Sequence, residues 1–113
     1  MTKNKKKGDR QGRPSIVVGD AAIDGKEIHT GDYIGIVGKE MLAVNESRFV
    51  TVCDSLDALN FSKYDFCILI CGKDATDEEA QRIEGYIKSR YKNKELYIID
   101  GGQDVYDYIM IVE

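Results

Sequence analysis

Two apolar segments separated by a helix-forming stretch constrain the fold of this chain more than any other feature of its sequence. Phe66–Cys71 is a continuous apolar run bounded by Asp65 and Gly72, which is typical of a strand buried on both faces. A second strand is expected at Leu96–Ile99. Two strands joined in this way by one helix are normally parallel with a right-handed crossover. The sequence therefore predicts a βαβ unit over residues 66–100.

The helix between these strands has a clear start signal. In Thr76-Asp77-Glu78-Glu79 the Thr76 hydroxyl can accept from the amide of residue 79 while the Glu79 carboxylate reaches back, which makes a capping box. Apolar residues then recur along one helical stripe, at Ala80, Ile83, Ile87 and Tyr91. We therefore predict a helix over residues 76–92.

The segment before the βαβ unit has the pattern of short antiparallel strands. An apolar patch begins at Ser15, and turn signals follow at Ile23–Lys26 and Thr30–Asp32. Residues 33–37 and 41–44 then read as two strands joined by a Gly-Lys turn. These features predict an N-terminal β meander.

Residues 46–59 admit two interpretations. Apolar residues recur there at helical spacing, after a cap at Asn45 or Ser47, and they are Phe49, Val52, Cys53, Leu56 and Leu59. The β-branched residues 50–52 also fit a strand at Phe49–Cys53. We expect the helix, with the strand as the alternative.

Together these segments predict an α/β fold. A single domain over residues 15–113 would contain a mixed sheet with the βαβ unit, two helices and the N-terminal β meander, and its last strand is expected at Tyr108–Val112. A chain of 113 residues can bury roughly 65% of the surface that it exposes when unfolded, which is enough for one core.

Residues 1–14 form a basic arm that differs from the rest of the chain. The net charge of −4 divides into +5 over residues 1–13 and −9 over the remainder. The arm has no aromatic residues for base stacking and is rich in Gly, Asn and Gln, so we expect a disordered, solubilising segment. Nucleic-acid binding by the arm is an alternative, and it would weaken steeply with salt.

The composition disfavours several other function classes. No apolar run approaches the roughly 18 residues of a membrane span, and the N-terminus lacks the apolar stretch of a secretory signal, so we expect a cytoplasmic protein. Cys53, Cys67 and Cys71 are flanked by apolar residues and suit reduced core thiols better than disulfides or zinc ligands. His29 is expected on the surface, without a catalytic partner. We therefore expect no catalytic residue, metal or cofactor.

Two loops are the candidate binding elements. Gly72–Thr76 follows the first strand of the βαβ unit and opens its helix, while Gly101–Gln103 follows the second strand. Ligands of open α/β sheets bind outside such strand ends, and helix N-terminal amides attract anions. Glycine turn chemistry, a protein-docking edge and a small anion site all remain open. Carboxylates around the loops disfavour the anion, at Asp74, Asp77, Glu78, Glu79, Asp100, Asp104 and Asp107.

Tyrosines crowd the C-terminal third of the chain, and two of them lie beside the second loop. Tyrosine is enriched at protein interfaces because it combines apolar area with a polar tip, although a half-buried sheet surface would also use it. The candidate binding residues lie in or next to the two loops and are Gly72, Asp74, Thr76, Gly101, Gly102, Gln103, Tyr106 and Tyr108.

These landmarks, taken in order, resemble the C-terminal part of the bacterial fatty acid kinase catalytic subunit family, also described as dihydroxyacetone kinase-like or DAK phosphatase-like. The resemblance spans about residues 20–113, and the order and spacing of its blocks make it specific. Those blocks are Ile23–Ile28, Gly31–Val37, Gly72–Ala80, Gly101–Gln103, Tyr106, Tyr108-Ile109 and the chain end Ile111–Glu113.

The resemblance implies a domain that works beside others. In that family an N-terminal domain binds ATP and magnesium, and the C-terminal region is associated with docking a separate DegV-type protein that carries the fatty acid. This sequence has no counterpart of the nucleotide domain, so we expect a non-catalytic partner-binding domain with no kinase activity of its own. The alternative is a small-ligand or phosphoryl-handling enzyme that uses residues 72–76 and 101–104.

The chain departs from the family pattern at two positions after the Gly-Gly-Gln turn. Asp104 and Asp107 stand where the family usually has proline. Proline fixes φ, so its loss predicts a loop that is less preset and more negative. This change weakens any family role that requires a rigid or anion-accepting loop.

Overall fold

Residues 13–20 and 31–113 are described by the computed structural model. Residues 1–12 of the predicted arm, the turn at Ile23–Lys26 and His29 lie outside these ranges. The elements, in chain order, are β1 Ser15–Asp20, β2 Tyr33–Val37, β3 Glu40–Asn45, α1 Arg48–Leu59, a short 3-10 helix Phe61–Lys63, β4 Phe66–Cys71, α2 Asp77–Arg90, β5 Glu95–Asp100 and β6 Tyr108–Val112.

The strands form one mixed sheet in the order β3-β2-β1-β6-β4-β5. Strands β1, β2 and β3 are consecutive antiparallel neighbours, which confirms the predicted N-terminal meander. Strands β4 and β5 are parallel and are connected through α2, which confirms the βαβ unit. Strand β6 lies antiparallel between β1 and β4 and so joins the two halves of the sheet. The predicted α/β fold class is confirmed.

Helix α1 resolves the ambiguity at residues 46–59 in favour of the helix. The Ser47 hydroxyl accepts from the Val50 amide at 3.2 Å, and Asn60 ends the helix in the left-handed conformation with φ 66°. The strand preference of the β-branched residues at its start is outweighed because the helix buries Val52 and Leu56 completely against the sheet. Tertiary packing therefore decides this segment.

Both helices pack on the same face of the sheet. Alternate side chains of β1, β4 and β6 point towards them and are buried, and these are Ile16, Val18, Cys67, Leu69, Cys71, Tyr108, Met110 and Val112. The helices contribute Val52, Leu56, Ala80, Ile83 and Ile87 to the same core. Full burial of each large aliphatic side chain stabilises the fold by about 2 kcal/mol. Neither α1 nor α2, the α-helices of the described residues, is long and apolar enough to cross a bilayer.

The three cysteines are free and buried, as the sequence predicts. Burial raises the pKa of the Cys53 and Cys67 thiols to about 12. Both side chains are therefore protonated at neutral pH and pack as small apolar groups.

A cluster centred on Asp57 joins the two helices. Its carboxylate accepts from the Tyr86 hydroxyl at 2.5 Å, from Arg90 Nε at 3.0 Å and from the Tyr91 hydroxyl. Burial alone would raise the pKa of Asp57, but hydrogen bonds from Tyr86, Tyr91 and Arg90 outweigh it and hold the pKa below its usual value. We call these four residues the Asp57 cluster.

Candidate functional site

The strand-end loops, residues 72–76 and 101–107, lie side by side because β4 and β5 are parallel neighbours. The Lys73 amide donates to the Gln103 carbonyl at 3.0 Å, so the two loops are bonded directly. Ligands of open α/β sheets bind at this end of the sheet, and the structure brings the two predicted binding loops together there.

Gly72 is the tightest contact between the loops. Its amide donates to the Asp107 carbonyl at 2.7 Å. A Cβ atom at this position would overlap the Tyr106 carbonyl oxygen and lie 3.0 Å from that of Gln103. Packing therefore requires glycine here. The carbonyl oxygens that face Gly72 also present the negative ends of their dipoles, which repel an anion from the space between the loops.

Gly101-Gly102-Gln103 forms the turn at the end of β5. The amides of Gly101 and Gly102 donate to the Cys71 carbonyl at 2.9 and 3.0 Å, and Gln103 Nε2 donates to the Ile70 carbonyl at 3.2 Å. Gly102 has φ 67°, in the left-handed region that favours glycine. These bonds hold the turn against the end of β4. The loop is thus preset by hydrogen bonds, whereas a less preset loop is expected from Asp104 and Asp107.

Arg48, at the start of α1, ties the second loop to α2. Its Nε donates to Glu79 Oε1 at 2.8 Å, and its Nη1 lies 3.5 Å from Asp107 Oδ1. Its Nη2 donates to the Asp74 carbonyl in the first loop at 3.3 Å. One guanidinium therefore contacts both strand-end loops and the first turn of α2.

The Tyr108 hydroxyl donates to Glu79 at 2.6 Å, and its ring lies 5.9 Å from the Arg48 guanidinium. We call Arg48, Glu79, Asp107 and Tyr108 the Arg48 cluster. Its three charged side chains are only 15–17% exposed. Of the predicted capping box, the Thr76 bond is present, since its hydroxyl accepts from the Glu79 amide at 3.1 Å. The Glu79 carboxylate bonds inward to Arg48 and Tyr108.

Burial and charge act against each other in the Arg48 cluster. Burial disfavours the charged guanidinium, but Glu79 and Asp107 outweigh it, so the pKa of Arg48 is raised. Burial also raises the pKa of Asp107; Arg48 lowers it only in part, and Asp74 and Glu79 add to the rise. The two loops are therefore held by a charge network from which water is partly excluded.

Sequence reasoning did not identify Arg48, although the sequence contains a signal for it. A cation in the first turn of a helix faces the positive end of the helix dipole, so its position is unfavourable unless carboxylates lie nearby. Here those carboxylates come from residues 31 and 59 positions further along the chain, Glu79 and Asp107. Only the folded sheet brings them into reach.

The remaining predicted site residues divide by their exposure. Asp74 and Thr76 are exposed just before α2, and Gly101 and Gly102 are exposed in the turn. Tyr106 is half-buried, whereas Tyr108 is fully buried with its hydroxyl bonded to Glu79. The Tyr108 side chain is therefore part of the protein interior and not of an exposed binding surface. The most exposed large apolar residue at this end, among those described, is Val105, which is 65% exposed.

A small cavity of about 200 Å³ lies beside the first loop. It is lined by Cys71, Gly72, Lys73, Ala75, Thr76, Asp77, Ala80, Ile98 and Asp100. Burial, followed by the charges of Asp100 and Asp77, raises the pKa of the Cys71 thiol, which opposes a nucleophilic thiolate there. Among residues 13–20 and 31–113, no group of three or more side chains is arranged to hold a metal ion.

The face of the sheet opposite α1 and α2 carries a row of apolar side chains. Strand pairing places five residues in line across β2, β1, β6, β4 and β5, and they are Ile36, Val17, Ile109, Ile70 and Ile99. Ile99 is 47% exposed, and the other four are half-buried. We call these residues the apolar row. It ends next to the Gly-Gly-Gln turn, since the Ile70 carbonyl accepts from Gln103.

Sequence comparison finds relatives for nearly the whole chain. An uncharacterised protein of Staphylococcus haemolyticus, SH1689, is 30% identical over 104 residues, and protein YloV of Bacillus subtilis is 29% identical over 104 residues. A Staphylococcus aureus protein, SAUSA300_1119, is 25% identical. Each match covers 92% of this chain and 19% of the relative. The chain thus spans about a fifth of the length of these curated relatives.

A family model matches the same region of the chain. It describes the C-terminal part of FakA-like fatty acid kinase proteins and matches residues 10–113. That range includes every described strand and helix and both strand-end loops. The chain therefore belongs to the FakA-like C-terminal family of fatty acid kinase proteins.

Proposed function

We propose that this chain is a non-catalytic partner-binding domain that docks a DegV-type fatty-acid-binding protein. The docking surface consists of the apolar row together with the exposed part of the 101–107 loop. ATP-dependent chemistry would be performed by a separate nucleotide-binding domain. The setting is the cytoplasm, in keeping with three cysteines that are free.

The apolar row is the observation that carries this proposal. Among the described residues, both α-helices lie on the other face of the sheet, so the row has no helix packed over it. A sheet normally buries its apolar face against another layer. Five aligned β-branched residues, on a face over which no described helix packs, are therefore suited to contact with a partner protein.

The 101–107 loop supports the same surface. Val105 lies between two anchored residues of this loop and is 65% exposed. Gln103 Nε2 donates to the Ile70 carbonyl in β4, and the Asp107 carbonyl accepts from the amide of Gly72, the residue after β4. A rigid loop loses little conformational entropy on binding, so an exposed apolar residue on it is an efficient anchor. The choice of a DegV-type partner comes from the family, since that kind of protein is associated with this region of fatty acid kinases.

Titration of the chain with DegV-type proteins from the same cell tests the proposal. We expect binding at micromolar concentrations, and Val105→Asp should weaken it about tenfold or more, because a carboxylate would be desolvated at the interface. Ile109→Thr, in the middle of the apolar row, should weaken it as well. Absence of wild-type binding at tens of micromolar would count decisively against the proposal.

Val44→Asp is the matched control for Val105→Asp. Val44 is 39% exposed and lies on β3, at the opposite edge of the sheet from β5. Five strand spacings of about 4.8 Å separate the two edges, so this change, one strand beyond the end of the apolar row, should weaken binding much less than Val105→Asp. Equal losses from the two variants would indicate nonspecific apolar association and remove the support for this surface.

The alternative of a small-ligand or phosphoryl-handling enzyme on residues 72–76 and 101–104 stays a prediction. The carbonyl oxygens around Gly72 weigh against an anionic ligand between these loops. The alternative predicts thermal stabilisation by phosphate or nucleotides, and Gly102 and Gln103 substitutions that abolish it. An unchanged melting temperature with saturating phosphate and ATP would remove it.

A further inference from the structure

Among the strands that the structure describes, β5 lies at one edge of the sheet, and apolar side chains are exposed on both of its faces. Tyr97 and Ile99 point to the face opposite α1 and α2 and are 49% and 47% exposed, while Ile98 points to the face on which these helices pack and is 43% exposed. A partner resting on one face of the sheet would cover only one of these two sets. A further strand beside β5 would contact both sets, and an exposed apolar edge strand is a template for pairing with another strand.

Backbone hydrogen bonds define which groups of β5 are free to pair. The Glu95 amide donates to the Asp65 carbonyl and the Gly101 amide to the Cys71 carbonyl, so odd-numbered residues of β5 direct their backbone groups towards β4. Successive residues alternate in a strand. The N–H and C=O groups of Leu96, Ile98 and Asp100 therefore point away from the sheet, along its outer edge.

We propose that two copies of this chain pair through β5, antiparallel about a two-fold axis at Ile98, to form one continuous sheet. In an antiparallel pair, two directly opposed residues form either a hydrogen-bonded pair, in which both N–H and C=O groups point towards the partner strand, or a non-hydrogen-bonded pair, in which both point away. Only registers that pair even residues with even residues satisfy this condition. The register centred on Ile98 pairs Leu96 with Asp100 of the second copy and forms on the order of six backbone hydrogen bonds.

The side chains of β5 are self-complementary in this register. Ile98 faces its own copy, and Tyr97 faces Ile99 of the second copy, an aromatic and β-branched pair that stabilises antiparallel strands. Glu95 and Asp100 lie at the two ends of the strand on opposite faces, so no carboxylate of β5 faces another. A second copy is therefore the occupant that this edge fits.

Sedimentation equilibrium of the full 113-residue chain, from micromolar to millimolar concentration, tests the proposal. We expect the mass to rise from 12.7 kDa towards twice that value. Because each copy has a net charge of −4, added salt should strengthen the association by screening repulsion. A monomer at every concentration, or a dimer that dissociates on addition of salt, would overturn the proposal.

Two variants separate this interface from any other. Ile98→Lys places like charges opposite each other on the two-fold axis and should weaken association about tenfold or more. Ile98→Pro removes a donor that points away from β4, so the monomer should keep its fold while the central intermolecular bonds are lost. If both variants fold by circular dichroism and still associate like the wild type, the proposal is wrong.

Val44→Lys is the matched control, since it makes the same apolar-to-lysine change on the other edge strand and should leave association unchanged. Amide hydrogen exchange gives an independent signature. The Leu96, Ile98 and Asp100 amides should become protected only at high concentration, whereas Tyr97 and Ile99 should be protected at all concentrations. Uniform concentration dependence along β5 would contradict the proposed pairing. Neither experiment contains a DegV-type protein, so this inference and the proposed function can fail separately.

Discussion

The Asp57 cluster and the Arg48 cluster both connect α1 to α2, but they are built around opposite charges. Asp57 is an anion surrounded by donors that belong to α2 and the residue after it. Arg48 is a cation surrounded by acceptors from three separate parts of the chain, including a strand-end loop. The first cluster therefore fixes one helix against another, whereas the second fixes both helices to the proposed docking loop.

Replacement of Arg48 should have the largest effect on stability. Arg48→Met keeps most of the aliphatic length but leaves Glu79 and Asp107 without a cation, and both are mostly buried. We expect a loss of about 3 kcal/mol in the free energy of unfolding, measured by urea denaturation. Lys88→Met is the control, because that lysine is 67% exposed and its pair with Glu84 should contribute about 0.5 kcal/mol or less.

Replacement of Asp57 should cost somewhat less. Asp57→Asn keeps the size of the side chain but leaves one acceptor oxygen for the Tyr86 and Tyr91 hydroxyls, and we expect a loss of about 2 kcal/mol. Asp54→Asn, at an exposed position on the same helix, should change stability by about 0.5 kcal/mol or less. Equal changes in the free energy of unfolding would mean that the Asp57 cluster stabilises the fold no more than an exposed carboxylate does.

The two clusters also show how far the sequence alone can lead. The βαβ unit, the meander and the start of α2 were predictable because each depends on local signals, such as the apolar run at Phe66–Cys71 and the Thr76 cap. Asp57 and Arg48 were not, because their partners lie tens of residues away and meet only when α1 and α2 pack on one sheet face. The adjacency of the strand-end loops was predictable from parallel pairing, but their direct bonding through Gly72 was not.

Removal of single hydroxyl groups should produce a smaller, graded effect. Tyr108→Phe removes a fully buried donor to Glu79 and should cost about 1.5 kcal/mol, whereas Tyr86→Phe, at a half-buried position, should cost about 1 kcal/mol. Tyr97→Phe is the control because its hydroxyl bonds Glu95 on the surface, so stability should hardly change. A larger loss from Tyr86→Phe than from Tyr108→Phe would reverse the order that burial predicts.

Acidification should act on the two clusters in opposite directions, with the smallest effect of the series. The pKa of Asp57 is lowered in the folded state, so its contribution is present above the unfolded value of 3.8 and is lost as the pH falls through the folded pKa. The pKa of Asp107 is raised, so its contribution is present below 3.8 and is lost as the pH rises through the folded pKa.

Urea denaturation from about pH 3 to about pH 6 should separate the two contributions. Relative to the wild type, Asp57→Asn should be least destabilising at the acidic end, where the contribution of this carboxylate to the stability of the wild type is smallest. Asp107→Asn should be least destabilising at the upper end, where the ionised form of Asp107, which burial, Asp74 and Glu79 disfavour, is most populated in the wild type. If the two differences changed in the same direction with pH, the carboxylates would share one environment, and the contrast between an anion-centred and a cation-centred cluster would be wrong.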